Sequence, residues 1–275
     1  MKRRIVTTTA VFQPGYPAED AVDRLKRLGF EALDMALDYW TNVPDSPFLG
    51  EDYLRWAAAL RGRAEQAGIP YTHSHAPGEA ENNPLIGRSL ETASALGARY
   101  MVLHPVWRNP DGTILEDAEE FIRRNWASIE PWLNEARRRG VVILSENLLW
   151  GASKDPRIIA ELVKRVGSEW FGWCYDTGHA HCFGYAPSVL AECALPPLSL
   201  HLQDNHGDFH DEHLIPGDGT IDWETTVQAL RAVGYAGDCV LEAHHQSLEA
   251  PDDQRDAILT RLLSVAQSLR AEMEA

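Results

Sequence analysis

Cysteine is scarce. The chain has four in 275 residues, at Cys174, Cys182, Cys193 and Cys239, and no two form a CxxC pair. That spacing argues against a disulfide-stapled secreted domain or a thiolate metal knuckle and leaves the four as reduced packing thiols. No stretch approaches the ~20 apolar residues a membrane-spanning helix requires, so no membrane partner is expected. Positive charge is also short. Lys and Arg total 25 against 41 Asp and Glu, a net charge of −16, which repels phosphate backbones and argues against a nucleic-acid partner. No linker, tandem repeat or low-complexity tract divides the chain. The opening MKRRIVTTTAVFQPG starts basic, but its apolar part is short, ends at a proline and lacks a small-residue cleavage site. It reads as a first strand, with a cytoplasmic location expected.

What is present has the composition of a globular protein, with 44% hydrophobic and 24% charged residues. Short β-rich apolar runs alternate with amphipathic helical stretches from end to end. Strands are expected at 4–9, 31–37, 70–75, 99–104, 141–146, 171–176, 198–203 and 238–243. Helices are expected near 18–29, 52–67, 84–97, 116–139, 155–167, 187–194, 222–234 and 252–273. Eight βα units in succession predict an α/β fold, a closed (β/α)8 TIM barrel spanning 1–275 as a single domain, and barrels of this kind run to ~250 residues as one unit. Gly29, Gly68, Gly140 and Gly167 each follow a helical run, where glycine takes the left-handed cap cheaply. Pro131 lies within the fourth helical stretch and predicts a kink or a split there.

A parallel barrel delivers the last residue of every strand to one end, so polar residues far apart in sequence converge. The strand ends carry His73 and His75, His104, Glu146, Asp176 and His179, His201 and Asp204, and Glu242. The loop after the seventh strand adds Asp211 and His213. A carboxylate at the end of an apolar run is costly to desolvate unless a cation or hydrogen bonds compensate it. Acidic or histidine ends recur on each of the last six strands, and a bound divalent metal is the simplest common compensation. Mixed imidazole and carboxylate donors suit Zn, Mn, Fe or Co better than Mg or Ca. Asp176 and His179 are spaced for a turn to bring both to one side. Asp211 and His213, two apart, project together from an extended loop.

These residues carry a family resemblance. The segments DTGHAHCFG at 176–184 and HLQDNHGDFHDEHLIPGDGTIDW at 201–223 resemble the xylose isomerase-like TIM barrels, the superfamily of sugar phosphate isomerases and epimerases that also includes endonuclease IV. The similarity runs over nearly the full length. It implies one divalent metal held by Glu146, Asp176, His201 and Glu242. It implies also that Glu146 and Glu242 are catalytic, one on each face of the substrate, and that His179 touches the substrate. The ketose epimerases have a substrate-binding arginine soon after the seventh-strand histidine, and this chain has none there. The larger ligand set of endonuclease IV, which holds three zinc ions, traces onto His75, His104, Glu146, Asp176, His179, His201, Asp211, His213 and Glu242.

The activity so implied is a metal-dependent sugar isomerase or epimerase acting on a ketose, keto-polyol or related small carbohydrate by proton transfer through an enediolate. The alternatives are an inosose-type dehydratase, or a metal-dependent phosphodiesterase on abasic DNA, which the charge of −16 opposes. Relatives are often dimers or tetramers, so a homo-oligomer is expected. His75, His104, His179, Asp211 and His213 would bind substrate or additional metal. Trp40, Trp107 and Trp150 follow strands two, four and five and would wall the pocket. No glycine-rich phosphate cradle follows strands seven and eight, and Arg108, Lys154 and Arg157 are the nearby cations, which favours an unphosphorylated substrate.

Overall fold

Eight short strands, all parallel, form the centre of the molecule in the computed structural model, which describes residues 2–275. They are β1 (Ile5–Thr8), β2 (Ala32–Ala36), β3 (Tyr71–Glu79), β4 (Tyr100–His104), β5 (Val142–Glu146), β6 (Phe171–Asp176), β7 (Ser199–His201) and β8 (Cys239–Leu241). Each pairs with its sequence neighbour from β1 to β7, and β8 pairs with β1. The remaining seam, between β7 and β8, closes through Leu202 N–H to Val240 O at 2.8 Å and Glu242 N–H to Leu202 O at 3.2 Å. The expected (β/α)8 barrel is therefore the fold.

The helices are α1 (Ala18–Leu28), α2 (Tyr53–Ala67), α3 (Ile86–Leu96), α4 (Ala118–Ile129), α5 (Leu133–Arg139), α6 (Pro156–Val166), α7 (Thr177–Cys182), α8 (Trp223–Ala232), α9 (His245–Glu249) and α10 (Asp252–Glu274). In α1, Ala21, Val22 and Leu25 form the buried stripe, and Gly29 ends the helix at φ 106°, its N–H bonded to the Leu25 and Lys26 carbonyls. The stretch expected at 116–139 splits at Pro131 into α4, a 3-10 turn over Glu130–Trp132, and α5. A proline has no N–H for the helical ladder, and the tighter turn absorbs the loss. The helix expected at 187–194 is instead a 3-10 segment, Pro187–Glu192, whose chain turns extended at Cys193. Pro196 and Pro197 follow closely and bar a longer helix.

The main apolar core lies between the strands and the surrounding helices. Inside the barrel are two smaller clusters, Val6–Ala32–Val240 and Val102–Val142–Leu144–Cys174. This packing fills part of the barrel interior, and the histidine and carboxylate donors gather at the strand C-termini, the end where barrel enzymes place their chemistry. Among the described residues no helix is long and apolar enough to cross a membrane.

Candidate metal centre and active site

Four strand ends meet at the mouth of the barrel. Glu146 closes β5, Asp176 closes β6, His201 closes β7 and Glu242 follows β8, and one donor atom from each lies within 4.8 Å of all the others. Glu146 and Asp176 are fully buried, and His201 and Glu242 nearly so. His201 Nδ1 is 2.9 Å from Glu146 Oε1, 3.0 Å from Glu242 Oε2 and 3.9 Å from Asp176 Oδ2. A single N–H cannot serve three carboxylates. Glu146 Oε2 and Asp176 Oδ2 have no hydrogen-bond partner although both are buried, a cost of several kcal/mol each if nothing compensates them. Three carboxylates, one imidazole nitrogen and two orphaned oxygens converging on one point fit a divalent cation.

The electrostatics agree. Burial opposes ionisation of Glu146 and Glu242, yet the surrounding histidines, His201 foremost, hold both carboxyls well below the usual range. Burial likewise works against a charge on His201, but the Cys174 sulfur and the Glu242 and Glu146 carboxylates raise it well above an ordinary imidazole. Asp176 is pushed up to about 7 by burial, and His179 only partly offsets this. A site that draws protons onto its histidines to balance its carboxylates offers a metal ion the same compensation.

Two further donor groups flank the first. His75 and His104 approach through their Nε2 atoms at 2.9 Å, His104 Nε2 is 3.4 Å from Glu146 Oε2, and His75 Nδ1 is 3.4 Å from Glu242 Oε1. On the other side Asp211 Oδ2 lies 3.1 Å from His179 Nε2 and 2.8 Å from His213 Nε2. Both of these rings donate Nδ1–H to backbone carbonyls, His179 to Asn147 O at 2.8 Å and His213 to Glu242 O at 2.9 Å. With Nδ1 protonated, each neutral ring aims an Nε2 lone pair at a carboxylate oxygen. That arrangement requires either a second proton on each imidazole or a cation between them. Asp211 and His213 meet as their spacing predicts, but through a left-handed turn at His213 (φ 45°) rather than along a plain extended loop.

Amide side chains hold these ligands in place. The Asn147 side chain accepts from Asp176 N–H at 2.8 Å and donates to Asp176 O at 3.0 Å. Gln203 Nε2 bridges Asp176 Oδ1 at 3.2 Å and Asp211 Oδ1 at 2.8 Å. Asp176 also caps α7, accepting from His179 N–H at 2.6 Å, so one turn of helix sets the spacing of these two residues. Asp204, which the strand-end pattern places among the candidates, organises the following loop instead. Its carboxylate accepts from Asn205, Gly217 and Ile221 N–H and from the Trp223 indole.

Comparison with known proteins fits this geometry. Residues 22–263 match the family described as xylose isomerase-like TIM barrel. The chain belongs to that family. Among curated relatives, protein y4fM of Sinorhizobium fredii is 29% identical over 153 residues, covering 55% of this chain and 49% of that protein, so the match spans about half its length. Inosose dehydratase of Lacticaseibacillus casei is 22% identical over 262 residues, covering 84% of each chain. Of the solved structures, D-psicose 3-epimerase with D-fructose superposes with a TM-score of 0.74 at 16% identity, covering 97% of this chain and 99% of that one. The 3-keto-D-glucoside 4-epimerase YcjR of E. coli superposes at 0.71 with 18% identity, covering 96% and 100%. At these identities the superpositions show the shared fold.

In this xylose isomerase-like barrel seven of the nine candidate ligands line one cavity, and the other two, Asp176 and His201, cluster with its Glu146 and Glu242. The cavity, of about 180 Å³, is lined by His75, His104, Glu146, His179, Asp211, His213 and Glu242, together with Trp150 and Leu148. Trp107 stands behind Trp150, stacked at 4.6 Å and 28°. Trp40 is not at this wall. It is 9% exposed and packs edge-on against Trp56 at 5.3 Å, in the core, because the 3-10 turn at Asp38–Trp40 directs it back under α2. Asp38, Tyr39 and His244 line the cavity and escape the sequence reading. The signals for them are the LDYW run just past β2 and the second residue after Glu242. Burial pushes His244 down to about 3, so it stays neutral. Asp34, inside the barrel on β2, is also missed. Neither of its oxygens has a partner, and burial pushes it up to about 6.

Proposed function

We propose that this protein is a metal-dependent isomerase or epimerase that moves a proton next to the carbonyl of a ketose, keto-polyol or related small carbohydrate. The observation that carries the reading is the meeting of two buried glutamates from different strands, Glu146 and Glu242, in one donor cluster lining a small cavity. A structural metal site requires donors but no proton-transfer pair, and it is normally closed to ligands.

Glu146, Asp176, His201 and Glu242 would hold a divalent cation, which when bound would offset negative charge on a substrate oxygen. One of the two glutamates takes a proton from carbon, giving an enediolate. The other returns a proton to the opposite face for epimerisation, or to the adjacent carbon for isomerisation. His179, fixed through Nδ1 by the Asn147 carbonyl, keeps its Nε2 edge on the cavity side to hold a substrate hydroxyl. Leu148 and Trp150 give the cavity an apolar wall. The similarity of the fold to sugar epimerases supports this reading.

Two other outcomes use the same site. Loss of a hydroxyl from the same intermediate would make the protein a dehydratase, which the similarity to inosose dehydratase favours. Several overlapping donor groups, with His75–His104–Glu146 and His179–Asp211–His213 on either side of the central four, favour a three-metal phosphodiesterase acting on abasic DNA. Metal analysis after mild purification separates the readings. About one divalent ion per chain is expected for proton transfer, whereas near three zinc ions with nicking of abasic DNA moves the assignment to the nuclease. Incubating ketoses and inososes in heavy water, followed by NMR, distinguishes exchange with inversion from exchange with loss of water.

A further inference from the structure

We propose that the binding site continues past the metal cavity along a column of Trp150, Trp107 and Arg108 into a second, polar cavity, and that the substrate is accordingly a disaccharide or glycoside rather than a free one-ring sugar. This extends the carbohydrate reading above and rests on it for the choice of ligand class.

The metal cavity, at about 180 Å³, is small for a ligand pocket, which usually holds 300 Å³ or more. The second cavity, at about 520 Å³, is lined by Glu79, Glu81, Asn82, Asn109, Arg108 and Arg124, among others. The two lie side by side. Glu79 of the second cavity is the register partner of His104 of the first on the β3–β4 ladder.

The column bridges them at the rim. Trp150 is 42% exposed and lines the metal cavity, Trp107 stacks on it, and the Arg108 guanidinium lies 4.8 Å from the centre of the Trp107 ring. Arg108 then pairs with Glu79 at 2.6 Å, inside the second cavity.

The column is also braced. Arg108 and Ile114 bridge to close a hairpin, and Leu115 N–H bonds to Trp107 O at 2.9 Å. Ala152 N–H reaches Leu115 O at 2.8 Å, tying the hairpin to the segment after Trp150. Gly151 makes that approach, since at φ 58° a Cβ would lie 2.3 Å from Leu115 O. The exposed Trp150 indole, held from behind by Trp107, complements the apolar C–H face of a pyranose ring, and carboxylate, amide and guanidinium groups complement its hydroxyls. An aromatic step followed by a polar chamber matches a second sugar ring or a polar aglycone.

The test titrates the metal-loaded protein with glucose, fructose, maltose, cellobiose and lactulose, read by tryptophan fluorescence. Disaccharides are expected to bind at least tenfold more tightly than one-ring sugars. Arg108→Ala, at a half-exposed side chain outside the metal cavity, should erase most of that gain and leave the one-ring affinities within twofold. Trp107→Leu, which removes the support behind Trp150, should lower disaccharide affinity as well. Equal affinity for one and two rings, no binding of any sugar, or an equal loss for both classes in the variants overturns the proposal. Deuterium exchange into fructose and lactulose is followed in parallel. No exchange, with the disaccharide preference intact, refutes the proton-transfer chemistry and leaves the extended site standing. Exchange into both at equal kcat/KM, without that preference, does the reverse.

Discussion

His201 Nδ1 lies within 3.0 Å of two glutamates on different strands, and the consequences of that placement are residue-scale. Replacing either carboxylate by its amide keeps the shape and removes the base. Glu146→Gln and Glu242→Gln are each expected to lower solvent exchange into substrate by about 10²–10⁴-fold, the usual contribution of one acid–base group, with a wild-type rate in either contradicting its role. The histidines have a pH signature of their own. In the metal-free protein burial would lower His75 and His213, yet the Glu242 and Asp211 carboxylates beside them hold each at about 9. An unfolded histidine titrates near 6.5, so between about 6.5 and 9 the folded state binds more protons than the unfolded chain. The stabilisation from these two residues is complete below about 6.5 and is lost as pH rises through 9. Asp176, pushed up to about 7 by burial, acts in the same direction from lower pH. Thermal melts of the chelator-treated protein should therefore give a higher Tm at pH 6.5 than at pH 9, and the opposite order would count against these assignments. Loading zinc at pH 7 should release protons, measurable by calorimetry in buffers of different ionisation enthalpy.

At the scale of elements, the critical unit is β6 with α7 and the Gln203 amide against it. Gly178 sits where a Cβ would come within 2.1 Å of Gln203 Oε1, and Gln203 in turn bonds to Asp176 and Asp211. Gly178→Ala should overpack this contact, destabilise by about 1–3 kcal/mol and reduce metal content. Adding Gln203→Ala should recover part of the stability, and strictly additive effects in the double variant would mean the two side chains do not collide. The sequence discloses part of this unit. Aspartate and histidine three apart after an apolar run predict a turn that brings them together, and DTGHAH forms one. The Gln203 bridge and the Asn147 clamp were not legible, because a buried amide bonded to a distant strand leaves no periodic trace. Trp40 shows the same limit, since a tryptophan just past a strand end packs either toward the mouth or into the core, and the 3-10 turn that decides between them is set by tertiary contacts. The segment at 187–194 has helical composition, but it forms a 3-10 turn over Pro187–Glu192 and turns extended at Cys193, short of the prolines that bar any continuation.

For the whole molecule, the alternation of strands and helices made the barrel legible, and the barrel made the site legible. Once eight parallel strands share a mouth, His75, His104, Glu146, Asp176, His201 and Glu242 must meet, and Asp211 and His213 follow on one loop. The residues that remained hidden, Asp34, Asp38, Tyr39 and His244, depend on which way a side chain leans within that mouth. The net charge of −16 belongs to this scale as well. A gel shift with duplex DNA carrying an abasic site should show no complex at physiological salt and micromolar protein, and tight, salt-sensitive binding would favour the phosphodiesterase reading. The most direct test of the central claim is deuterium exchange in heavy water with a panel of ketoses, keto-disaccharides and inososes, comparing protein stripped of metal with the same sample reloaded. Exchange next to the carbonyl of at least one compound, lost on stripping and restored on reloading, is the predicted result. No exchange with any compound in the reloaded protein would contradict it.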